Sequence, residues 1–228
     1  AILNKLKEFN ELEVDMIELR IDFYENIHQE DALRNLFLNI AALQIQKPVI
    51  LTIRTAAEGG EVEIDPKDYF NVYKLAVEAN AFDIYDVELA LGTNMAIELR
   101  TLIHDAGKYM LMSSHNFDRT PEVDSLMQKF RSMDSLEADI MKVAVMPEDY
   151  QDLLNLLSFT VQAKHEYAQK PIVTMSMSSI GLTSRLVGEQ FGSAITFASV
   201  GKASAPGQID YQELNQMLDI IHKNVQEA

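Results

Sequence analysis

The sequence predicts a parallel α/β chain of the (β/α)8 TIM-barrel class, and three observations predict it. Short apolar, β-branched runs alternate with amphipathic stretches of helical period along the whole chain. The strand–helix units recur roughly every 25–35 residues, a spacing that suits a barrel. Polar side chains collect at the C-terminal ends of successive strands, the edge where parallel α/β folds build their sites. An open, doubly wound sheet is the rival that periodicity alone leaves standing.

The elements follow in order. A helix at about 2–10 precedes seven runs that read as strands: 14–20 "VDMIELR", 48–54 "PVILTIR", 82–88 "FDIYDVE", 109–115 "YMLMSSH", 138–145 "ADIMKVAV", 171–177 "PIVTMSM" and 193–199 "SAITFAS". Amphipathic stretches such as 66–80 and 148–168 lie between them, and a last helix is predicted at about 210–225. No linker, repeat or low-complexity run breaks the alternation, so residues 1–228 read as one barrel domain.

Composition narrows the function. Hydrophobic residues make up 47% of the 228, enough for a sizeable core, and the net charge is −16. That charge argues against nucleic acid and anionic membrane surfaces as partners. There is no cysteine, so neither disulfides nor thiolate metal sites are available, and a cytoplasmic location is expected. No apolar stretch approaches the length of a membrane span.

The two-residue period of a strand assigns faces. Met16, Glu18 and Arg20 share one face of the first strand, with Asp22 next; Ile17, Leu19 and Ile21 share the other. Thr52 with Arg54, Asp86 with Glu88, and Ser113 with His115 are the corresponding pairs on the next three strands. On the fifth, Lys142 stands between Ile140 and Ala144, with Met141, Val143 and Val145 opposite. An ammonium on so apolar a strand must find a partner, reach water or give up its proton. Alone, Lys142 reads as a snorkelling lysine, His115 as a hydrogen-bonded core histidine, Glu18 with Arg20 as an ion pair, and Met175 and Met177 as core. What favours chemistry is that His115 and Lys142 end consecutive strands, about 4.8 Å apart in a parallel barrel.

At these residues the chain resembles type I 3-dehydroquinate dehydratase, the Schiff-base enzyme of the shikimate pathway. The matching segments are "ELRID" (18–22), "TIRTAAEGGE" (52–61), "DVEL" (86–89), "SSHNFDRTP" (113–121), "KVAVMP" (142–147), "MSMSSIGLTSRLVGEQFGSAITF" (175–197) and "SAPGQI" (204–209). They run in the family's order. The His115–Lys142 pair with "SAPGQ" after the last strand is the specific part. Leu19 stands where a tryptophan is common, and Ser178 where some members have glycine.

The resemblance implies a lyase that dehydrates 3-dehydroquinate to 3-dehydroshikimate. It implies Lys142 as the imine-forming nucleophile, His115 as general acid and base, and Glu58 as the carboxylate that orients His115. It implies Arg185 and Gln208 at the substrate carboxylate, and Glu18, Arg20 and Arg54 at the ring hydroxyls and carboxylate region. Ser204 and Gln208 fall on a lid-like loop, and Met175, Met177 and Phe197 form the apolar wall. Three arginines and a lysine are expected to supply local positive charge for the anionic substrate. No cofactor and no metal are implied; a homodimer is. The family folds with eight strands where seven are visible, so the expected absent strand is the first, ahead of Ala1, with strands 14–20 and 193–199 flanking its place. The rival enzyme reading, a class I aldolase for a phosphorylated sugar, finds no glycine-rich phosphate cradle after the last strands. A non-catalytic binding protein would have no use for a matched lysine and histidine.

Overall fold

Six of the seven predicted strands are present among the described residues, each followed or preceded by a helix as predicted. The structure, a computed structural model, describes residues 1–201 and 205–225. The chain packs as two units, Ala1–Ser113 with Ser135–Asp139, and Ser114–Asp134 with Ile140–Ala228.

The first unit holds α1 (Ile2–Asn10), β1 (Ile17–Arg20), α2 (Glu30–Ala42), β2 (Val49–Thr52), α3 (Pro66–Glu78), β3 (Ile84–Glu88), α4 (Thr93–Asp105) and the start of β4 (Tyr109–Asn116). These strands pair in sequence order and all in parallel, with Glu18 beside Ile50, Thr52 beside Asp86 and Glu88 beside Ser113. All five residues of β3 are buried, as expected of a parallel strand covered on both faces. Sequence chemistry sets the helix starts. Asp65 caps α3 by accepting the Asp68 N–H (2.8 Å), and Pro66 fills the first helical position, where its missing N–H costs nothing. Packing on this side is aromatic: Phe37 meets Phe82 edge-on, and Tyr69, Tyr73, Tyr85 and Phe82 form a chain of ring contacts. At the N-terminal ends of the strands, Asp83 accepts the Val49 N–H (3.0 Å) and Asp139 accepts the Met110 N–H (2.7 Å). Two equivalent aspartates thus do a purely structural task there.

The second unit continues β4 into α5 (Val123–Ser135), then β5 (Ile140–Val145), α6 (Tyr150–Glu166), β6 (Ile172–Ser176), α7 (Leu182–Phe191) and α8 (Tyr211–Val225). β5 and β6 are parallel, with Lys142 beside Val173 and Ala144 beside Met175. Phe130 of α5 packs edge-on against Phe159 of α6. Asp149 caps α6 through the Asp152 N–H (3.0 Å).

The segment 193–199 does not form the seventh strand. It makes one parallel bridge, Ser193 to Ile172, with the Ala194 N–H on the Ile172 carbonyl at 2.7 Å. The reason is a side chain. Ser193 Oγ takes the Thr174 N–H at 3.0 Å, the donor that a continuing ladder would have used, and the pairing ends there. No described helix is long and apolar enough to cross a membrane.

Candidate active site

The polar ends of β1, β2 and β3 form one hydrogen-bonded network in the first unit. Arg54, just past β2, is 4% exposed, and its guanidinium is enclosed by acids. Nη2 donates to Asp86 at 2.7 Å; Nη1 donates to Glu88 at 2.8 Å and to Ser113 Oγ at 3.0 Å, and stands 3.5 Å from Glu58. Asp86 also receives the Ser113 hydroxyl. Burial works against the Arg54 charge, yet Asp86, Glu88 and Glu58 together hold its pKa well above the usual arginine value. Glu88 accepts two further bonds from Thr55, from its N–H (2.9 Å) and its hydroxyl (2.7 Å). The chain doubles back here, with the Gly60 N–H on the Thr55 carbonyl at 2.8 Å. A Cβ at position 60 would lie 1.9 Å from the Arg54 carbonyl, so this return requires glycine.

Arg20 and Glu18 belong to the same unit. Arg20 makes a two-pronged bond to the buried Asp22 (2.8 and 2.7 Å) and lies over the Phe23 ring. Asp22 also receives the N–H groups of Arg54 and Glu61 at 3.3 Å. Glu18 accepts the Thr52 hydroxyl at 2.8 Å. Both these arginines are therefore matched by carboxylates of the chain itself.

The second unit holds Lys142 and His115. Lys142 is 4% exposed on β5, with its Nζ 4.5 Å from the centre of the Phe197 ring, within reach of a cation–π contact. Ala144, Val173, Met175 and Met177 pack as one apolar cluster, with Phe117, Ile140, Met146, Ile195 and Phe197 against it. The predicted wall residues Met175, Met177 and Phe197 thus stand together, and Ile140 and Ala144, on the lysine's own strand face, belong to the same cluster. His115 is half-buried near the end of β4. The turn after it is built by Asn116, whose side-chain oxygen accepts the N–H groups of Asp118 (3.0 Å) and Arg119 (2.9 Å). Thr120 then donates to the Met146 carbonyl at 3.0 Å, tying the loop after His115 to the end of the strand that bears Lys142.

Arg185, on α7, differs from the other two arginines. It is 2% exposed, and among the described residues no carboxylate pairs with it. Nη2 donates to the Pro206 carbonyl (3.1 Å), Nη1 reaches the Phe197 carbonyl (3.5 Å) and the Met175 sulfur (3.8 Å), and Nε has no partner. Burial alone lowers its pKa. Gln208 folds onto its own loop, its side-chain oxygen accepting the Ala205 N–H at 3.3 Å. Ser204 lies outside the described residues.

Several participants escaped the sequence reading. Asp86, Glu88 and Ser113 were visible as polar strand ends but not as the cage of Arg54. A buried arginine demands counter-charges, and that demand was the available signal. Asp22 went unrecognised as the partner of Arg20. The carbonyls that hold Arg185 leave no trace in residue identity.

A family profile described as type I 3-dehydroquinase matches residues 1–225. The 3-dehydroquinate dehydratase of Bacillus subtilis is 41% identical over 223 residues, 98% of this chain and 88% of the relative. That of Escherichia coli K12 is 37% identical over 98% of this chain and 88% of its own. A crystal structure of type I 3-dehydroquinate dehydratase from Clostridium difficile, with covalently modified comenic acid, superposes with a TM-score of 0.93 at 36% identity, covering 98% of this chain and 88% of that one.

Proposed function

We propose that this chain, which belongs to the type I 3-dehydroquinase family, performs the family's reaction with Lys142 as nucleophile and His115 as the acid–base group. The protein is a lyase that removes water from 3-dehydroquinate to give 3-dehydroshikimate through a lysine Schiff base. The observation that carries the assignment is the setting of Lys142, a buried amine on an apolar strand face beside an aromatic ring.

The steps follow from that setting. The lone pair of Lys142 Nζ attacks the substrate ketone, and the carbinolamine loses water to give a protonated imine. The imine draws electrons from the adjacent carbon, and His115 takes the proton there, leaving an enamine. The enamine expels the ring hydroxyl as His115 returns a proton to it, so a water leaves and the double bond forms. A second water hydrolyses the imine, releasing the product ketone and the amine. The apolar cluster of Met175, Met177 and Phe197 keeps bulk water from the intermediate.

The remaining roles divide by charge. Arg185 takes the substrate carboxylate, because it is a buried guanidinium with no carboxylate partner among the described residues. Arg54, Arg20 and Glu18 meet ring hydroxyls, Glu58 orients His115, and Ser204 and Gln208 belong to the loop beside Arg185. Within the same proposal the chain is one barrel domain and works as a cytoplasmic homodimer, the state that the resemblance implies.

Borohydride with 3-dehydroquinate tests the assignment. It should inactivate the enzyme and leave the mass of the reduced ligand on the peptide that carries Lys142. In His115→Ala, turnover should fall by about 10²–10⁴-fold while the adduct still forms. Label on Lys108, Lys129 or Lys170 instead would refute the role of Lys142.

A further inference from the structure

β2 and β3 keep their register only as far as Thr52 and Asp86. There a side chain reaches the backbone of β3. Tyr73 of α3 donates its hydroxyl hydrogen to the Asp86 carbonyl. One helical turn earlier, the Tyr69 hydroxyl lies 3.2 Å from that of Tyr73 and 3.3 Å from the same carbonyl. Both phenols are completely buried. Two buried hydroxyls thus converge on one backbone carbonyl. Burial raises the pKa of both, so they remain hydrogen donors across the neutral range.

The carbonyl they hold belongs to Asp86, whose carboxylate grips Arg54 Nη2 at 2.7 Å and receives the Ser113 hydroxyl. The guanidinium is planar and rigid. Fixing Nη2 therefore fixes Nη1, which meets Glu88 at 2.8 Å and stands 3.5 Å from Glu58. Every link from the phenol to Glu58 is a buried polar contact within the first unit.

We propose that Tyr73 is a positioning residue for Glu58. Its hydroxyl, on the backbone carbonyl of Asp86, sets where Asp86 holds Arg54, and Arg54 sets where the Glu58 carboxylate stands. The inference rests on the reading of Glu58 as the group that orients His115. A tyrosine with only a structural role would lower stability when trimmed and leave turnover alone.

The test is a double-mutant cycle of Tyr73→Phe with Glu58→Gln, read as kcat, KM and melting temperature. Tyr73→Phe removes one oxygen at nearly constant volume. It should lower kcat about 10- to 100-fold, with KM changed less than about threefold and the Lys142 adduct still trapped by borohydride. In the Glu58→Gln background the same change should cost less than about twofold, because the route to His115 is already cut. Equal losses in both backgrounds, or a lower melting temperature with normal kcat, overturn the role of Tyr73. Normal kcat in Glu58→Gln alone overturns the reading of Glu58, and the proposal with it. Should Tyr73→Phe fail to fold, Ser113→Ala removes a hydroxyl from the same cage and must show the same dependence on Glu58.

Discussion

Replacing Arg185 by methionine should leave the unliganded protein about as stable as before, whereas the same replacement at Arg54 should nearly unfold it. Both guanidiniums are almost completely buried, so exposure does not separate them. Their partners do. Burying an ion costs several kcal/mol, and the two carbonyl bonds of Arg185, at 3.5 and 3.1 Å, offset about 1.5–3 kcal/mol each at most. Arg185→Met removes that cost together with those bonds, so the net change should stay within about 1.5 kcal/mol. That corresponds to a melting temperature within about 5 °C of the wild type. Arg54→Met leaves Asp86, Glu88 and Glu58 facing one another without their cation. Breaking a single buried pair costs about 3–5 kcal/mol, so a loss of about 6–20 °C is expected. Ligand then discriminates further. Saturating 3-dehydroshikimate at about 100 times its dissociation constant should add about 2.7 kcal/mol to the wild type and almost nothing to Arg185→Met. The kcat/KM of that variant should fall about 10²–10³-fold, the scale of losing one buried charge partner. Thermal melts with and without product, beside steady-state kinetics, measure all of this. A melting temperature lowered by more than about 5 °C in unliganded Arg185→Met, or an intact ligand shift, would refute the reasoning.

Two further outcomes follow from local physics. Ser178 sits at φ +59°, a left-handed conformation that costs an L-residue about 1–2 kcal/mol. Ser178→Gly should therefore stabilise the protein by about 0.5–1 kcal/mol after the extra flexibility of the unfolded chain, with unchanged kcat; a lower melting temperature would contradict this. Tyr69, Tyr73 and Tyr85 all have pKa values raised by burial. A raised folded-state pKa means that the unfolded chain releases its protons first, so this stability is whole below pH ~10 and is lost above it. The loss should be about 4 kcal/mol per pH unit for the three together. Tyrosinate absorbance should rise together with unfolding, and phenols that ionise in the folded protein near pH 10 would exclude the mechanism.

The strands were legible because a parallel core writes itself as apolar, β-branched runs, and the period of two separated Thr52, Arg54, Asp86 and Glu88 from their buried neighbours before any coordinate was known. Segment 193–199 shows where that logic stops. Its alternation suits a strand, but Ser193 Oγ takes the Thr174 N–H, and no run of residue types announces a side chain that replaces a ladder bond. The site divided in the same way. Lys142 was conspicuous as a charge among apolar residues. The cage of Arg54 was half-visible, its members placed on the right faces but not joined. The carbonyls of Phe197 and Pro206 on Arg185 were invisible, because a backbone oxygen is the same in every residue.

The three arginines also show why counting charges at strand ends misleads. With a net charge of −16, local cations were expected to attract the anionic substrate. Arg20 answers to Asp22, and Arg54 to three carboxylates, so neither offers an unmatched charge to a carboxylate from outside. An arginine so enclosed still presents N–H groups of fixed direction, which suits neutral hydroxyls. Arg185 has no carboxylate partner among the described residues, which suits one carboxylate from outside.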